Sequence, residues 1–212
     1  MNPKFITFEG GEGVGKSTQI NLLKQAFTNS GIPIKTTREP GGTEGAEKIR
    51  ELLVQGSPNK WNGQTELLLH MAARFDHINR FIKPSLREGS FVICDRFMDS
   101  TIAYQAYGHK LGEQYVKLLS NLIFGNFTPD LTIIFDLDIS IAMKRADKRD
   151  STENRYEKMG ESFHNNVRQG FLKIAKDNPY RCAVIDASLA EEEINSQIIK
   201  IIEQKFGINL KK

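Results

Sequence analysis

A glycine-rich loop near the N-terminus constrains the fold of this 212-residue chain more than any other feature. The stretch GGEGVGKS, Gly10–Ser17, consists of a glycine, four further residues and then Gly-Lys-Ser. It follows the apolar run Phe5–Phe8 and precedes a segment in which Ile20, Leu23 and Phe27 recur at helical spacing. A strand, such a loop and a helix in this order are typical of a phosphate-binding loop, in which backbone amides and the helix dipole surround a phosphate.

The side chains of this loop predict a nucleoside triphosphate rather than a lone phosphate. Lys16 is placed to reach the β and γ phosphates, and the hydroxyl of Ser17 is suited to bind magnesium. The residues expected to bind ATP are Gly10, Gly11, Glu12, Gly13, Val14, Gly15, Lys16, Ser17 and Thr18.

The rest of the chain alternates strand and helix patterns. Apolar runs predict further strands at Ile34–Thr37, Phe91–Cys94, Leu131–Phe135 and Ala183–Asp186, and helical spacing marks segments between them, such as Thr65–Ile82. We therefore expect an α/β, three-layer P-loop NTPase fold with a five-stranded parallel sheet flanked by helices, in one domain spanning residues 1–212.

Composition narrows the classes of partner. The net charge is +3, from 29 basic and 26 acidic residues, which is far from the basic surface of a dedicated nucleic-acid binder. We expect no nucleic-acid and no membrane partner, because no window approaches the roughly 20 apolar residues of a membrane span. Cys94 and Cys182 lie in apolar runs and resemble small buried hydrophobic residues, which fits a reducing cytoplasm.

Arginines near strand ends indicate what receives the phosphate. Arg38 and Arg96 follow the second and third strands, and Arg74 lies on the helix between them. Because the carboxyl ends of parallel strands meet at one rim, this arrangement suits a second phosphate group. The chain lacks the Asp-x-x-Gly and Asn-Lys-x-Asp elements of a GTPase switch, so a small kinase with an anionic acceptor is favoured.

Several motifs, taken together, resemble those of the thymidylate kinase family. They are FEGGEGVGKST, TREPGGT, the AAR helix, CDRFMDSTIAYQ and PDLTIIFDLD, and they are spread over the whole chain. The resemblance implies phosphoryl transfer from ATP to dTMP with Mg²⁺, a step of dTTP synthesis, by a homodimer. It also implies a lid at about residues 144–160, a charged stretch that otherwise reads as a solvated helix end and surface loop.

The resemblance also implies roles for individual residues. Those expected to bind dTMP are Arg38, His70, Arg74, Arg96, Ser100, Thr101, Tyr104 and Gln105; those expected in catalysis are Lys16, Glu12, Asp95, Arg149 and Arg155; those expected at the metal are Ser17, Glu12 and Asp95. Tyr104 is expected to crowd the 2′ position of the sugar and so to favour deoxyribose.

Two positions depart from the family pattern. His70 stands where the family commonly has a phenylalanine stacked on thymine, and it is expected either to stack in the same way or to face solvent. Gly13 stands where some members carry an arginine in the phosphate loop, so the charge that stabilises the transition state must come from elsewhere. The lid offers Arg145, Arg149 and Arg155, of which the last two are favoured.

Two other functions stay open at this point. One is a kinase of the same architecture that acts on a different nucleotide or on an unrelated anionic metabolite. The other is a binding or regulatory protein that hydrolyses ATP slowly and has no phosphoryl acceptor. Activity on dTMP separates both from the favoured prediction.

Overall fold

The computed structural model describes residues 2–146 and 153–211, without the side chain of Ala146. Its strands are β1 (Phe5–Gly10), β2 (Ile34–Arg38), β3 (Phe91–Asp95), β4 (Leu131–Asp136) and β5 (Cys182–Asp186). Its α-helices are α1 (Lys16–Asn29), α2 (Glu44–Val54), α3 (Gly63–His77), α4 (Lys83–Arg87), α5 (Met98–Thr101), α6 (Glu113–Phe124), α7 (Ile139–Ala146), α8 (Glu161–Asp177) and α9 (Glu191–Phe206). A 3-10 turn spans Pro58–Lys60, and π-helical segments at Ile78–Ile82 and Ile102–Gly108 extend α3 through to α4 and continue α5.

The five strands form one parallel sheet in the order β2-β3-β1-β4-β5. This confirms the fold class predicted from the alternating strands and helices. Each strand is longer than its apolar run by one or two residues, and the added residues include Gly10, Arg38, Asp95 and Asp136. Polar residues that end a parallel strand at the ligand-binding rim carry no apolar signal, which is why the pattern missed them.

The three central strands, β1, β3 and β4, are buried on both faces, as is typical of a parallel sheet, whereas the edge strands β2 and β5 are half-buried. Alternate residues of β4 enter different clusters: Ile133 and Phe135 pack with residues of α1 and α9, whereas Ile134 packs with residues of α3, α6 and α8. A third cluster lies around Phe5, Val92 and the π-helical segment after α3. The helices on the two faces hold the carboxyl ends of the strands rigidly in place.

No helix within residues 2–146 and 153–211 is long and apolar enough to cross a bilayer.

Candidate active site

A cavity of about 240 Å³ opens at the carboxyl ends of the central strands. The loops after β1, β2 and β3 meet here because these strands are neighbours in the sheet. Its lining includes the phosphate loop, the segment that follows β3, and residues of α3. It also includes Arg38, Glu39 and Pro40 at the end of β2, which we call the REP turn. Fifteen predicted site residues line it: Glu12, Gly13, Val14, Gly15, Lys16, Ser17, Arg38, His70, Arg74, Asp95, Arg96, Ser100, Thr101, Tyr104 and Gln105.

The phosphate loop depends on glycine at its first position. Gly10 has a φ of 134°, and a Cβ placed there would lie 2.6 Å from the carbonyl oxygen of Phe135. Any larger residue would push the loop away from β4. The loop then turns through Gly15, with a φ of 92°, into the first turn of α1, and Gly15, Lys16 and Ser17 line the cavity.

The Lys16 ammonium fills the centre of the loop. It donates to the carbonyl oxygens of Gly11 at 2.7 Å and Gly10 at 3.4 Å, and its side chain is buried. Burial and the nearby Arg96 charge lower the pKa of Lys16 to about 8. An incoming phosphate would add negative charge beside the buried amine and so favour its protonated form.

Arg96 connects the phosphate loop to the acceptor side of the cavity. Its guanidinium donates to the Gly10 carbonyl at 2.7 Å, to Glu12 Oε1 at 2.7 Å and to Ser100 Oγ at 3.0 Å. The Tyr104 ring lies 5.1 Å from the guanidinium carbon, in cation–π geometry. The charge is thus fixed between the loop predicted to hold ATP and the residues predicted to hold dTMP.

Glu12 is the carboxylate of this cluster. It accepts from Arg96 and, at 3.0 Å, from the Tyr104 hydroxyl. Burial by itself raises its pKa, but the Arg96 and Lys16 charges outweigh burial and lower the pKa of Glu12 to about 2. Burial and the Glu12 charge raise the pKa of Tyr104, although Arg96 opposes them, so its hydroxyl stays a donor.

Ser17 and Asp95 form the second oxygen pair of the cavity. The Ser17 hydroxyl donates to Asp95 Oδ2 at 3.2 Å, and the buried Asp95 Oδ1 has no hydrogen-bond partner among the described residues. Across residues 2–146 and 153–211, no cluster of three His, Cys, Asp or Glu side chains could hold a metal by itself. An unsatisfied carboxylate oxygen beside a hydroxyl fits Mg²⁺, which is commonly held by one or two protein oxygens together with substrate phosphates.

The loop after β2 contributes the charge of Arg38, which is more exposed to solvent than that of Arg96. Arg38 is half exposed and pairs with Glu47 at 3.1 Å, and Glu47 in turn accepts from the Gly42 amide. Arg50 donates to the Pro40 carbonyl at 2.8 Å and binds both carboxylate oxygens of Glu153. The REP turn is therefore tied to the first described residue after the 147–152 gap.

Arg74 is fully buried beneath the acceptor side. It donates to Glu39 at 2.6 Å and to Thr101 Oγ1 at 2.9 Å. Glu39 is also bonded to His77 Nδ1 at 2.9 Å, and His77 Nε2 contacts Thr37 Oγ1 at 2.7 Å. This buried chain fixes the direction of the Arg74 guanidinium, while part of the side chain still lines the cavity.

His70 faces the cavity rather than solvent. Its Nε2 lies 2.9 Å from the hydroxyl of Tyr156, and Tyr156 packs edge-on against Tyr104 with ring centroids 5.4 Å apart. Burial lowers the pKa of His70 to about 4 even though Glu66 opposes the shift, so the imidazole is neutral at physiological pH. A neutral aromatic ring at this position is compatible with stacking on a base.

Glu66 joins the acceptor side to the segment that follows the undescribed residues. It accepts from Gln105 Nε2 at 2.8 Å and pairs with Arg155 Nη2 at 2.6 Å, and all three side chains are buried. Arg155 also donates to the carbonyls of Leu53, Ser57 and Pro58 at 2.9 to 3.1 Å. In this structure the Arg155 guanidinium faces Glu66 and backbone carbonyls, and its predicted catalytic role stays a prediction.

The remaining lid arginines lie elsewhere. Arg145, near the end of α7, makes a long contact of 3.4 Å with the Ala187 carbonyl. Arg149 falls outside the described residues, so its predicted role stays a prediction. Arg155, the other favoured candidate, occupies the buried position just described.

Sequence patterns missed the carboxylates that hold the site together. Glu9, Glu39 and Glu66 are buried, and each contacts a residue predicted to be functional or its neighbour. Glu9 carries a weak signal, since it is a charged residue at the end of an otherwise apolar strand. The other two lie in polar contexts, where burial leaves no local trace.

Comparisons with known proteins give a consistent family. The family model for thymidylate kinase matches residues 8–198. Thymidylate kinase from Caulobacter vibrioides is 45% identical over 96% of this chain and 98% of its own length, and that from Magnetococcus marinus is 43% identical over 99% and 100%. The crystal structure of thymidylate kinase from Ehrlichia chaffeensis is similar with a TM-score of 0.76 and 37% identity, over 95% of this chain and 99% of that one.

Proposed function

This chain belongs to the thymidylate kinase family, and from that premise we propose that it transfers the γ-phosphoryl group of ATP to dTMP, giving ADP and dTDP for dTTP synthesis. The observation that carries the proposal is the position of Arg96. Its guanidinium binds the phosphate loop through Gly10 and Glu12 and lies over Tyr104 on the acceptor side. One fixed charge can therefore face both reacting phosphates.

The donor is assigned to the phosphate loop. The triphosphate would lie against the amides of Gly10–Thr18, with Lys16 giving up its contacts to loop carbonyls for phosphate oxygens. Ser17 and Asp95 would hold Mg²⁺, which would neutralise the charge that develops on the phosphates. Glu12 also belongs to the predicted metal set, but its contacts with Arg96 and Tyr104 favour a role at the acceptor.

The acceptor is assigned to the other half of the cavity. Arg96, with Arg38 at the rim, would bind the dTMP phosphate, and Arg74 would face the thymine edge. His70 would form the aromatic wall, and Ser100 and Thr101 would orient Arg96 and Arg74. Gln105, which is bonded to Glu66, also belongs to the predicted dTMP-binding set. Because the attacking phosphate oxygen is already anionic at neutral pH, the reaction needs alignment and positive charge rather than a general base.

The lid proposal centres on Arg149. An arginine placed against the transferred phosphoryl group raises the rate about 10³- to 10⁵-fold in related phosphoryl transfers. The phosphate loop does not supply this arginine, because Gly13 stands at that position. Arg155 anchors the C-terminal end of the lid by its contact with Glu66, and Arg50 with Glu153 adds a second anchor. A lid of about 144–160 held in this way can close over the phosphates and exclude water.

The homodimer remains part of the proposal, and the surface of α3 and α6 supports it. These two helices pack together, and four large apolar side chains, Leu68, Phe75, Leu118 and Leu122, are 52 to 81% exposed on them. A patch of this kind favours burial against another surface. Sedimentation equilibrium tests the dimer: Leu122→Glu is expected to shift the mass towards one chain, and a mass that stays unchanged would contradict this interface.

A cytoplasmic location also remains proposed. Both cysteines, Cys94 and Cys182, carry free thiols, as a reducing compartment allows.

The function is tested by coupled ADP release with ATP, Mg²⁺ and a panel of nucleoside monophosphates. Turnover is expected on dTMP and to be much weaker on its ribose counterpart. Better turnover on another monophosphate would assign the chain a different acceptor. ATP hydrolysis that is indifferent to every monophosphate would favour a regulatory ATPase.

A further inference from the structure

The backbone of Arg96 has a conformation that arginine rarely adopts. Its φ is 68°, in the left-handed region, directly after β3 and just before α5. Its amide donates to the Phe8 carbonyl at 2.9 Å, which continues the pairing of β1 with β3. Since the left-handed region is unfavourable for an arginine, neighbouring contacts must hold the turn.

Glu9 makes two of these contacts. It is fully buried, its Oε1 accepts from the Phe97 amide at 2.8 Å, and its Oε2 contacts the Ser100 hydroxyl at 2.5 Å. Phe97 directly follows Arg96, and Ser100 Oγ accepts from the Arg96 guanidinium at 3.0 Å. One carboxyl group therefore fixes both the backbone after Arg96 and the hydroxyl that orients its side chain.

From this geometry we infer that Glu9 is a positioning residue, which holds Arg96 in the left-handed turn and aims its guanidinium at the acceptor phosphate. This inference rests on the proposed role of Arg96 in binding dTMP. Glu9 does not line the cavity, so it acts on the acceptor site through the Phe97 amide, Ser100 and thereby Arg96.

The cost of burying Glu9 supports a specific role. Glu9 lies in a strand that is buried throughout, so its carboxyl group loses its hydration on folding. An apolar side chain at this position would avoid that cost. Burial and the neighbouring Asp99 raise the pKa of Glu9 to about 8 despite the hydrogen bonds from Ser100 and Phe97. Thr7 gives the contrast: it is also buried, two residues earlier on the same face of β1, and its hydroxyl bonds across to Thr132 Oγ1 at 2.9 Å.

The test compares Glu9→Met, Glu9→Gln and Thr7→Val in the full chain, by steady-state kinetics for each substrate. Glu9→Met keeps the volume but can neither accept from Phe97 nor bind Ser100, so KM for dTMP is expected to rise at least tenfold while KM for ATP changes less than twofold. Glu9→Gln can accept from the Phe97 amide and donate to Ser100, so KM for dTMP should stay within about threefold of wild type. Thr7→Val, the matched control, loses a buried hydrogen bond and should leave both KM values unchanged.

Three further measurements make the result decisive. In an Arg96→Ala background, Glu9→Met should add nothing to KM for dTMP, and a full additive effect would overturn the inference. Equal rises of KM for dTMP and KM for ATP in the single variant Glu9→Met would overturn it as well. If Glu9→Met does not fold, Ser100→Ala breaks the same link and should raise KM for dTMP alone; an unchanged KM would overturn it. If the wild type does not use dTMP, the proposed function fails, but crystal structures of the variants still decide the inference. Arg96 is expected to move in Glu9→Met, and an Arg96 that superimposes on its wild-type position would contradict the inference.

Discussion

The variant Arg155→Met distinguishes two roles for this arginine: an anchor of the lid, or a charge that acts on the phosphates during the reaction. Arg155 is wholly buried, pairs with the equally buried Glu66 at 2.6 Å and donates to three carbonyls. Removing one partner of a buried ion pair typically costs about 3 to 5 kcal/mol, and here the buried Glu66 carboxylate would keep only its contacts with Gln105 at 2.8 Å and His109 at 2.9 Å among the described residues. For a chain of this size each kcal/mol lowers Tm by about 2 to 4 °C, so Tm should fall by roughly 6 to 20 °C.

The assay is thermal unfolding, followed by kinetics at a temperature where both proteins are folded. We expect a large loss of Tm and a kcat within about tenfold of wild type, because Arg155 acts as an anchor. Adding Glu66→Gln to Arg155→Met should recover part of the stability, since the unpaired charge is removed. The control is Arg80→Met, which removes an exposed arginine from its pair with the partly buried Asp76 and should cost no more than about 1 kcal/mol.

The opposite pattern would refute this reasoning. If Arg155→Met kept its Tm and lost a hundredfold or more in kcat, Arg155 would have to leave Glu66 during the reaction and act on the phosphates.

Four further predictions follow from the site. Above about pH 8, kcat/KM for ATP should fall because Lys16 loses its proton, and a limb that persists unshifted in Lys16→Arg would contradict this assignment. The ratio of KM for dTMP between wild type and His70→Phe should stay constant from about pH 5.5 to 8, since His70 is neutral throughout; a ratio that changes near pH 6.5 would show a titrating imidazole. Tyr104→Leu should improve use of the ribonucleotide relative to dTMP by about tenfold, whereas Tyr104→Phe, which keeps the ring, should not. Arg149→Ala should lower kcat by about 10³-fold with little change in either KM, and unchanged turnover would mean that the charge comes from another residue.

Local patterns in the sequence were enough to predict the sheet and the phosphate loop. β3 and β4 are mostly apolar, with Thr132 as the one polar residue inside them and an aspartate at the end of each, Asp95 and Asp136. The glycine at position 10 of the loop reflects a backbone that approaches β4 too closely for a side chain. Features of this kind depend on residues next to one another in the chain, so one sequence reveals them.

Contacts between distant residues could not be predicted in this way. Arg155 meets Glu66 across 89 positions of sequence, and a charged stretch gives no sign that one of its arginines is buried. His70 was left between stacking and solvent because helical spacing does not show what covers a helix, and here Tyr156 covers it. The carboxylates of Glu9 and Glu39 are likewise recognised only through their partners in space.

The central claim, direct transfer from ATP to dTMP, is tested most directly by following the phosphorus atoms with ³¹P NMR. With ATP, Mg²⁺ and dTMP, the account predicts that ADP and dTDP appear in equal amounts and that no inorganic phosphate accumulates. Inorganic phosphate formed with ADP while dTMP stays unchanged would contradict it.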